Sequence, residues 1–434
     1  GSFLGIILIY GIFAKIFGSG IIIYLTPLIS IFGVLFFYKF IREFFSQKIA
    51  FISALLLLTH PAYWYYNSRS MFHNVLFINF LIIAFYWLVV YFKKPAYSRA
   101  ALAGLFFGLA IFARTAEALW LVPVLVAVLT TNQKKIKLPH LAVVLLFYCF
   151  IVLLFLIFQK SIYGSYLASG YGSKLKNLGS YFLPFGFSLR LILLNVYHYF
   201  FQLFWWLSWP ALFSILIYIL RWNKIEKKQQ LYIYCAGFIF FWLIVYYGSW
   251  QLKDTLGPFA ITIGTSYVRY FLPIYVFFLP FFAAALMFIF NFFKNQALKF
   301  FTIFIFSFLI LIFSVQLTVS GTTESLLRVK RHLNEYYAVR QKVALAVPQN
   351  SVIITSNHDK VFFPEFRVAA GIVEPGQLMA AAELAKVASI YYYTFLDNAG
   401  LALERERFRG YGLELVDGVD IFEGERLFRI IRKN

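Results

Sequence analysis

The sequence predicts an all-α polytopic membrane domain of about ten transmembrane helices, followed by a small soluble α/β domain. Two observations lead there. The 434 residues are 62% hydrophobic and 22% aromatic but only 13% charged, with mean hydropathy +0.77, too little polar surface for a soluble globule. Charge is also divided sharply along the chain. Before residue 320 there are 24 Lys and Arg against four acids, Glu43, Glu117, Glu226 and Asp254, a net +20; the tail carries +1. The overall +21 would suit nucleic acid, but its location in the apolar part argues against that partner.

Residues 1–20 hold an apolar stretch ending at Phe17-Gly18 that is either the end of a span or, as taken here, a helix lying in the outer interface. The chain opens on Gly-Ser without a signal-peptide pattern, so the true N-terminus is expected to lie upstream. Residues 21–320 are read as the multi-span domain. Its apolar segments are Ile21 to Ile41, Ile49 to His60, Phe72 to Phe92, two arms within Ala100 to Thr130, Leu141 to Phe158, Tyr199 to Leu220, Leu231 to Trp250, Tyr267 to Phe290 and Phe300 to Val319. Short basic clusters punctuate alternate loops, at Lys39/Arg42/Lys48, Lys93/Lys94/Arg99, Lys134/Lys135/Lys137, Arg221/Lys224/Lys227/Lys228 and Lys294/Lys299. By the positive-inside rule these loops are cytoplasmic. The chain is therefore expected in the plasma (inner) membrane as a multi-pass protein, with residues 321–434 as an extracytoplasmic domain. Cys149 and Cys235 lie in separate apolar segments and suggest neither a disulfide framework nor a Cys-based metal site.

The stretch from Ala100 to Thr130 is basic at both ends and carries Arg114-Thr115-Ala116-Glu117 in its middle. Two cytoplasmic ends require the chain to turn back, which makes this tetrapeptide the tip of an outward hairpin. Ionisable groups at membrane depth are costly and usually face a cavity or substrate path. The plainer alternative is that Arg114 and Glu117 merely pair with each other. Outward segments collect aromatic and polar residues: His60 to Asn74, including Tyr63, Trp64, Arg69 and His73; Gln159 to Arg190; and Gln251 to Ser266, running into Tyr267-Val268-Arg269-Tyr270-Phe271-Leu272-Pro273. His60, His73 and His198 near outward ends are candidates, with Glu117, for holding a divalent metal ion.

From Gly321 the composition becomes that of a soluble domain. Helical patterns at Glu324 to Val347, Gln377 to Val387 and Ala399 to Phe408 alternate with strand patterns at Ser351 to Thr355, Ser389 to Phe395, Leu413 to Val416, Val419 to Phe422 and Leu427 to Ile431. The polar turn Ser356 to Lys360 follows a strand end, where α/β sheets often bind ligands; the plainer reading is an ordinary connecting loop.

Taken in order, these pieces resemble a known family. The outward-lying apolar helix ending in Phe17-Gly18 and the aromatic loop with Ser68-Arg69-Ser70 come first. Gly104-Leu105-Phe106-Phe107-Gly108 leading through Arg114-Thr115 to Glu117-Ala118-Leu119-Trp120-Leu121-Val122-Pro123 comes next, and Val268-Arg269-Tyr270-Phe271-Leu272-Pro273 last. This order resembles the GT-C superfamily of integral-membrane glycosyltransferases, in the branch of the dolichyl-phosphate-mannose protein mannosyltransferases and the aminoarabinose lipid A transferases. The resemblance covers most of residues 1–290.

The resemblance implies inverting transfer of a sugar from a polyprenyl-phosphate carrier to a protein, lipid or glycan acceptor at the outer face. It implies substrate-binding roles for Arg69, Arg114, Glu117, Arg269, Tyr270, His73, Asn74 and Tyr63, with Lys160 or Arg190 as further cations and Trp64, Tyr163, Trp209 and Tyr267 as further sugar-facing aromatics. Guanidinium forks suit phosphate oxygens. The family's catalytic acid lies in a first outward loop that would precede Gly1, leaving Glu117 and Asp254 as the acids for that role within the chain. Where the family often has a Pro-acid pair, this chain reads His73-Asn74. Two other classes compete: a noncatalytic protein that binds lipid carriers, and a transporter or flippase, which predicts internal repeats and midplane polar sites.

Overall fold

The computed structural model describes residues 3–69, 71–166, 183, 186–252, 261–321, 323–356, 358–370 and 375–432. The chain divides into two compact units, Gly1–Leu326 and Leu327–Asn434.

The first unit is helical. Helix α1 is Leu4–Phe17, α2 Ile22–Arg42, α3 Gln47–Thr59, α4 Pro61–Ser68, α5 His73–Lys93, α6 Tyr97–Ala113, α7 Ala118–Thr131 and α8 Leu138–Tyr163. Then follow α9 Leu189–Val196, α10 Trp205–Leu220, α11 Lys227–Gly248, the single-turn α12 Ser266–Tyr270, α13 Leu272–Phe292 and α14 Gln296–Val315. Among the described residues six helices are long and apolar enough to cross a membrane. Two bent pairs, α6 with α7 at 118° and the α9 segment with α10 at 100°, raise the number to eight if each pair makes one span. Length separates this count from the ten segments expected. At about 1.5 Å per residue, the 13 residues of α3 and the 14 of α7 reach only about 20 Å of a roughly 30 Å hydrocarbon core.

Helices α5 and α13 form the interior of the unit, each with 78% of its apolar window buried. In α8 and α14 only 6% is buried, so their apolar side chains face outward, as suits lipid contact. Close approach is purchased by missing side chains. A Cβ at Gly104 would fall 2.2 Å from the carbonyl oxygen of Val144, and one at Gly108 2.9 Å from Ile151, so these glycines bring α6 onto α8. Gly5 does the same for α1, whose Cβ would fall 1.8 Å from the carbonyl oxygen of Phe112 near the end of α6.

The second unit is α/β, built on a five-stranded sheet. Its strands are β1 Val352–Thr355, β2 Arg367–Ala370, β3 Ile390–Thr394, β4 Leu413–Phe422 and β5 Glu425–Arg432, in the order β2-β1-β3-β5-β4. The first three are parallel; β5 is antiparallel to β3 and β4. One face packs Ile354, Tyr392 and Phe428 against Leu378, Leu401 and Phe408 from helices Pro375–Leu384 and Asn398–Arg409. The other packs Ile353, Tyr393 and Leu427 against Val339 and Val343 of helix Leu326–Ala346. The two strand patterns expected at Leu413 to Phe422 form one strand, because a bulge with Asp417 at φ 52° absorbs the Asp-Gly step without ending the ladder. In the Ser356 to Lys360 turn, His358 lies 3.5 Å from the Glu425 carboxylate, which also accepts from the Tyr393 hydroxyl; Asn357 lies outside the described residues.

Candidate functional site

The turn at Arg114 follows from local chemistry. Arg114 caps α6 with extended backbone (φ −155°, ψ 91°), and Glu117 stands at the start of α7. The cation therefore meets the negative end of one helix dipole and the carboxylate the positive end of the next. Both side chains are only 3% exposed, a burial that makes an unpaired charge costly. Arg114 Nε lies 2.5 Å from Glu117 Oε1. Arg114 Nη2 donates to the Tyr247 hydroxyl at 2.7 Å, which in turn donates to Glu117 Oε1 at 2.7 Å. The Trp120 indole, one helical turn past Glu117, donates to Oε2. Both carboxylate oxygens thus accept hydrogen bonds, whereas Arg114 Nη1 and, apart from its ion pair, Nε have no hydrogen-bond partner among the described residues.

From this tip a row of guanidiniums and rings runs outward. Arg114 sits 4.8 Å from the Tyr270 ring centroid, and Tyr270 stacks on Tyr247 with centroids 4.5 Å apart. Arg269 lies 5.4 Å from the same Tyr270 ring and 5.7 Å from that of Phe72. Arg69 lies 5.3 Å from Phe72 and donates to the Tyr65 hydroxyl at 2.7 Å. Along the row Arg114 is buried, Arg269 half-buried and Arg69 exposed. His73 is within electrostatic range of both Arg114 and Arg269 and stacks on Phe3 at 3.8 Å. Asn74 donates to the backbone oxygen of Arg269 at 3.3 Å.

Charge along this row is not balanced. Among the described residues, neither Arg69 nor Arg269 has a carboxylate at ion-pair distance. Arg269 Nε, His73 Nε2 and Asn74 Oδ1 are buried polar atoms without hydrogen-bond partners among the described residues, alongside Arg114 Nη1. The unmet guanidinium N–H groups of Arg114 and Arg269, on cations with no full complement of partners among the described residues, are what an anionic ligand satisfies, whereas Asn74 Oδ1 is an acceptor and calls for a donor such as a sugar hydroxyl.

Of the residues expected at a site, the structure brings together Arg69, Arg114, Glu117, His73, Asn74, Arg269 and Tyr270. Tyr63 is separate: it is 2% exposed and its hydroxyl donates to Asn79 at 2.6 Å and to the backbone of Ser30 at 2.9 Å, tying α4 to α2 and α5. His60 is enclosed by Phe204, Trp206 and Tyr275, and His198 pairs with Gln202 on its own helical segment. No three His, Cys, Asp or Glu side chains gather for a metal among the described residues, so Glu117, His60, His73 and His198 do not form a metal set. Trp209 is 59% exposed on the surface of α10, and Lys160 turns to Tyr166. Arg190 is likewise exposed. Asp254 lies outside the described residues.

Several partners were not anticipated. Tyr247 and Phe72 complete the row, and only tertiary packing brings Tyr247 to a site 130 positions away. Trp120 had a readable signal, three residues after Glu117 in an apolar helix. Glu324 is an added acid: its carboxylate accepts from Thr262 and lies over Gly264, in electrostatic range of Tyr65 and Tyr66.

Comparison with known proteins bears on this arrangement. Residues 4–158 match the family model described as dolichyl-phosphate-mannose-protein mannosyltransferase. The crystal structure of ArnT from Cupriavidus metallidurans in the apo state is similar with a TM-score of 0.53 and 11% identity, covering 99% of this chain and 87% of that one. No curated protein matches by sequence. The fold is thus the ArnT-like fold, and the resemblance to the GT-C superfamily of membrane glycosyltransferases is borne out.

Proposed function

We propose that this chain is a membrane glycosyltransferase that takes a sugar from a polyprenyl-phosphate carrier and passes it to a protein, lipid or glycan acceptor at the outer face. The observation that carries the reading is the row Arg69, Arg269, Arg114, interleaved with Phe72 and Tyr270 and graded from exposed to buried. A carrier phosphate entering from the bilayer meets Arg69 and Arg269 first, neither of which has a carboxylate at ion-pair distance among the described residues. The unpaired Nη1 of Arg114 supplies the innermost donor. Charge-assisted hydrogen bonds of this kind contribute about 1.5–3 kcal/mol each. The Tyr270 and Tyr247 rings offer faces to the sugar beside the phosphate.

In this reading Glu117 is a positioning residue. Its oxygens already accept from Tyr247 and Trp120 and pair with the Arg114 charge, so it holds the guanidinium in place and is poorly disposed to receive a proton from an acceptor. The base is then expected elsewhere, as the family resemblance implies. A second reading draws on the same occupancy: a protein that binds lipid carriers without catalysis. Incubating the purified full chain with polyprenyl-phosphate-linked sugars separates the two. Loss of sugar from the carrier that depends on Arg269 supports the transferase; carrier binding with no release of sugar supports the second reading.

A further inference from the structure

An apolar cavity lies at the other end of the same helices from the arginine row. It has a volume of about 380 Å³, within the roughly 300–1,000 Å³ range of ligand pockets. Its depth is walled by Phe40, Phe85 and Phe277, all buried, with Ala236 and Cys235 on the α11 side. Its mouth is marked by exposed lysines, Lys93, Lys135, Lys227 and Lys228.

Those lysines are not equivalent. Lys93 pairs with Glu43, and Lys228 with Glu226 at 3.0 Å. Lys135 and Lys227 have no acidic partner among the described residues, although both stand at the opening. An apolar void left empty forfeits the dispersion contacts of its lining, and in a bilayer the nearest filler is a hydrocarbon chain, which enters without desolvating any polar group. Basic openings between transmembrane helices select anionic head groups.

We propose that this cavity holds one acyl chain of an anionic phospholipid from the leaflet on the lysine side, its head-group phosphate resting on Lys135 and Lys227. The site is independent of the proposed transferase activity. A lipid seated there fills the gap between α5, α7, α11 and α13 and steadies α7 and α11, the helices that carry Glu117 and Tyr247 at their far ends.

Native mass spectrometry of the full chain, released from detergent with phosphatidylglycerol or phosphatidylcholine, tests this. Phosphatidylglycerol is expected to be retained in preference. Lys135→Gln with Lys227→Gln is expected to weaken it about thirty-fold, each lysine near the membrane surface contributing about a factor of five, and to weaken phosphatidylcholine, whose choline already offsets its phosphate, far less. Ala236→Phe, which projects into the cavity, is expected to remove both lipids. If that variant aggregates, Cys235→Leu makes the same intrusion more mildly. Glycerol phosphate without tails is expected not to compete. Equal retention of the two lipids, indifference to the lysine pair, indifference to the cavity-filling variants, or displacement by glycerol phosphate would each overturn the proposal.

Discussion

Glu117→Ala tests whether the Arg114–Glu117 pair is an organised element or an incidental contact. Two donors, Tyr247 and Trp120, and the paired Arg114 cation converge on this carboxylate, and the two charges are each 3% exposed. Removing the acid leaves a buried cation with no counter-ion among the described residues, a loss of about 3–5 kcal/mol for a broken buried pair. Replacing both members, Arg114→Met with Glu117→Leu, removes the desolvation cost together with the attraction and is expected to recover most of that loss. Thermal unfolding of the detergent-solubilised full chain reads the order: wild type and the double variant close together, Glu117→Ala well below. Carrier binding reads the role. The double variant is expected to be folded yet deficient in binding polyprenyl phosphate, because the innermost donor is gone. If the single variant is as stable as wild type, the burial argument fails; if the folded double variant binds the carrier normally, the pair is only structural.

Arg69→Gln and Arg269→Gln are each expected to weaken binding of polyprenyl phosphate about ten-fold or more, from loss of about 1.5–3 kcal/mol, while Lys at either position restores charge but not the fork; titration in detergent measures this. Glu324→Gln is expected to strengthen the same binding a few-fold, because its negative charge near Arg69 competes with the phosphate; weaker binding would assign the carboxylate a direct role. Gly104→Ala is expected to cost about 1–3 kcal/mol by forcing α6 off the Val144 carbonyl, whereas Gly237→Ala, with open space at its Cβ, should be near neutral in the same thermal assay.

The parts of this structure legible in the sequence are those where one residue's cost is large. Arg114 and Glu117 announce themselves because charge inside an apolar stretch demands a partner or a ligand, and the chain does bend there, by 118°. The sequence cannot reveal that Tyr247 completes the pair, since that contact is made by packing α11 against α7. Tyr63 is indistinguishable in sequence from Tyr270; only Asn79 and Ser30, which engage its hydroxyl, remove it from the site. Span count depends on where a helix breaks, and the break at His60-Pro61 shortens α3 below membrane thickness. In the second unit, β2 was unreadable: four residues, Arg367–Ala370, with no alternation between buried and exposed positions, recruited by pairing with β1. The Asp417-Gly418 step looks like a turn locally, and the continuing ladder with β5 makes it a bulge.

The central claim, that the arginine row receives a carrier phosphate, is tested most directly by photocrosslinking. A polyprenyl phosphate with a diazirine next to the phosphate is bound to the purified chain, and labelled peptides are mapped by mass spectrometry. The account predicts label on the segments around Phe72 and Tyr270, lost in Arg269→Gln and competed by unmodified polyprenyl phosphate. Label confined to other helices, or label at Phe72 and Tyr270 that survives loss of Arg69 and Arg269 together, would contradict it.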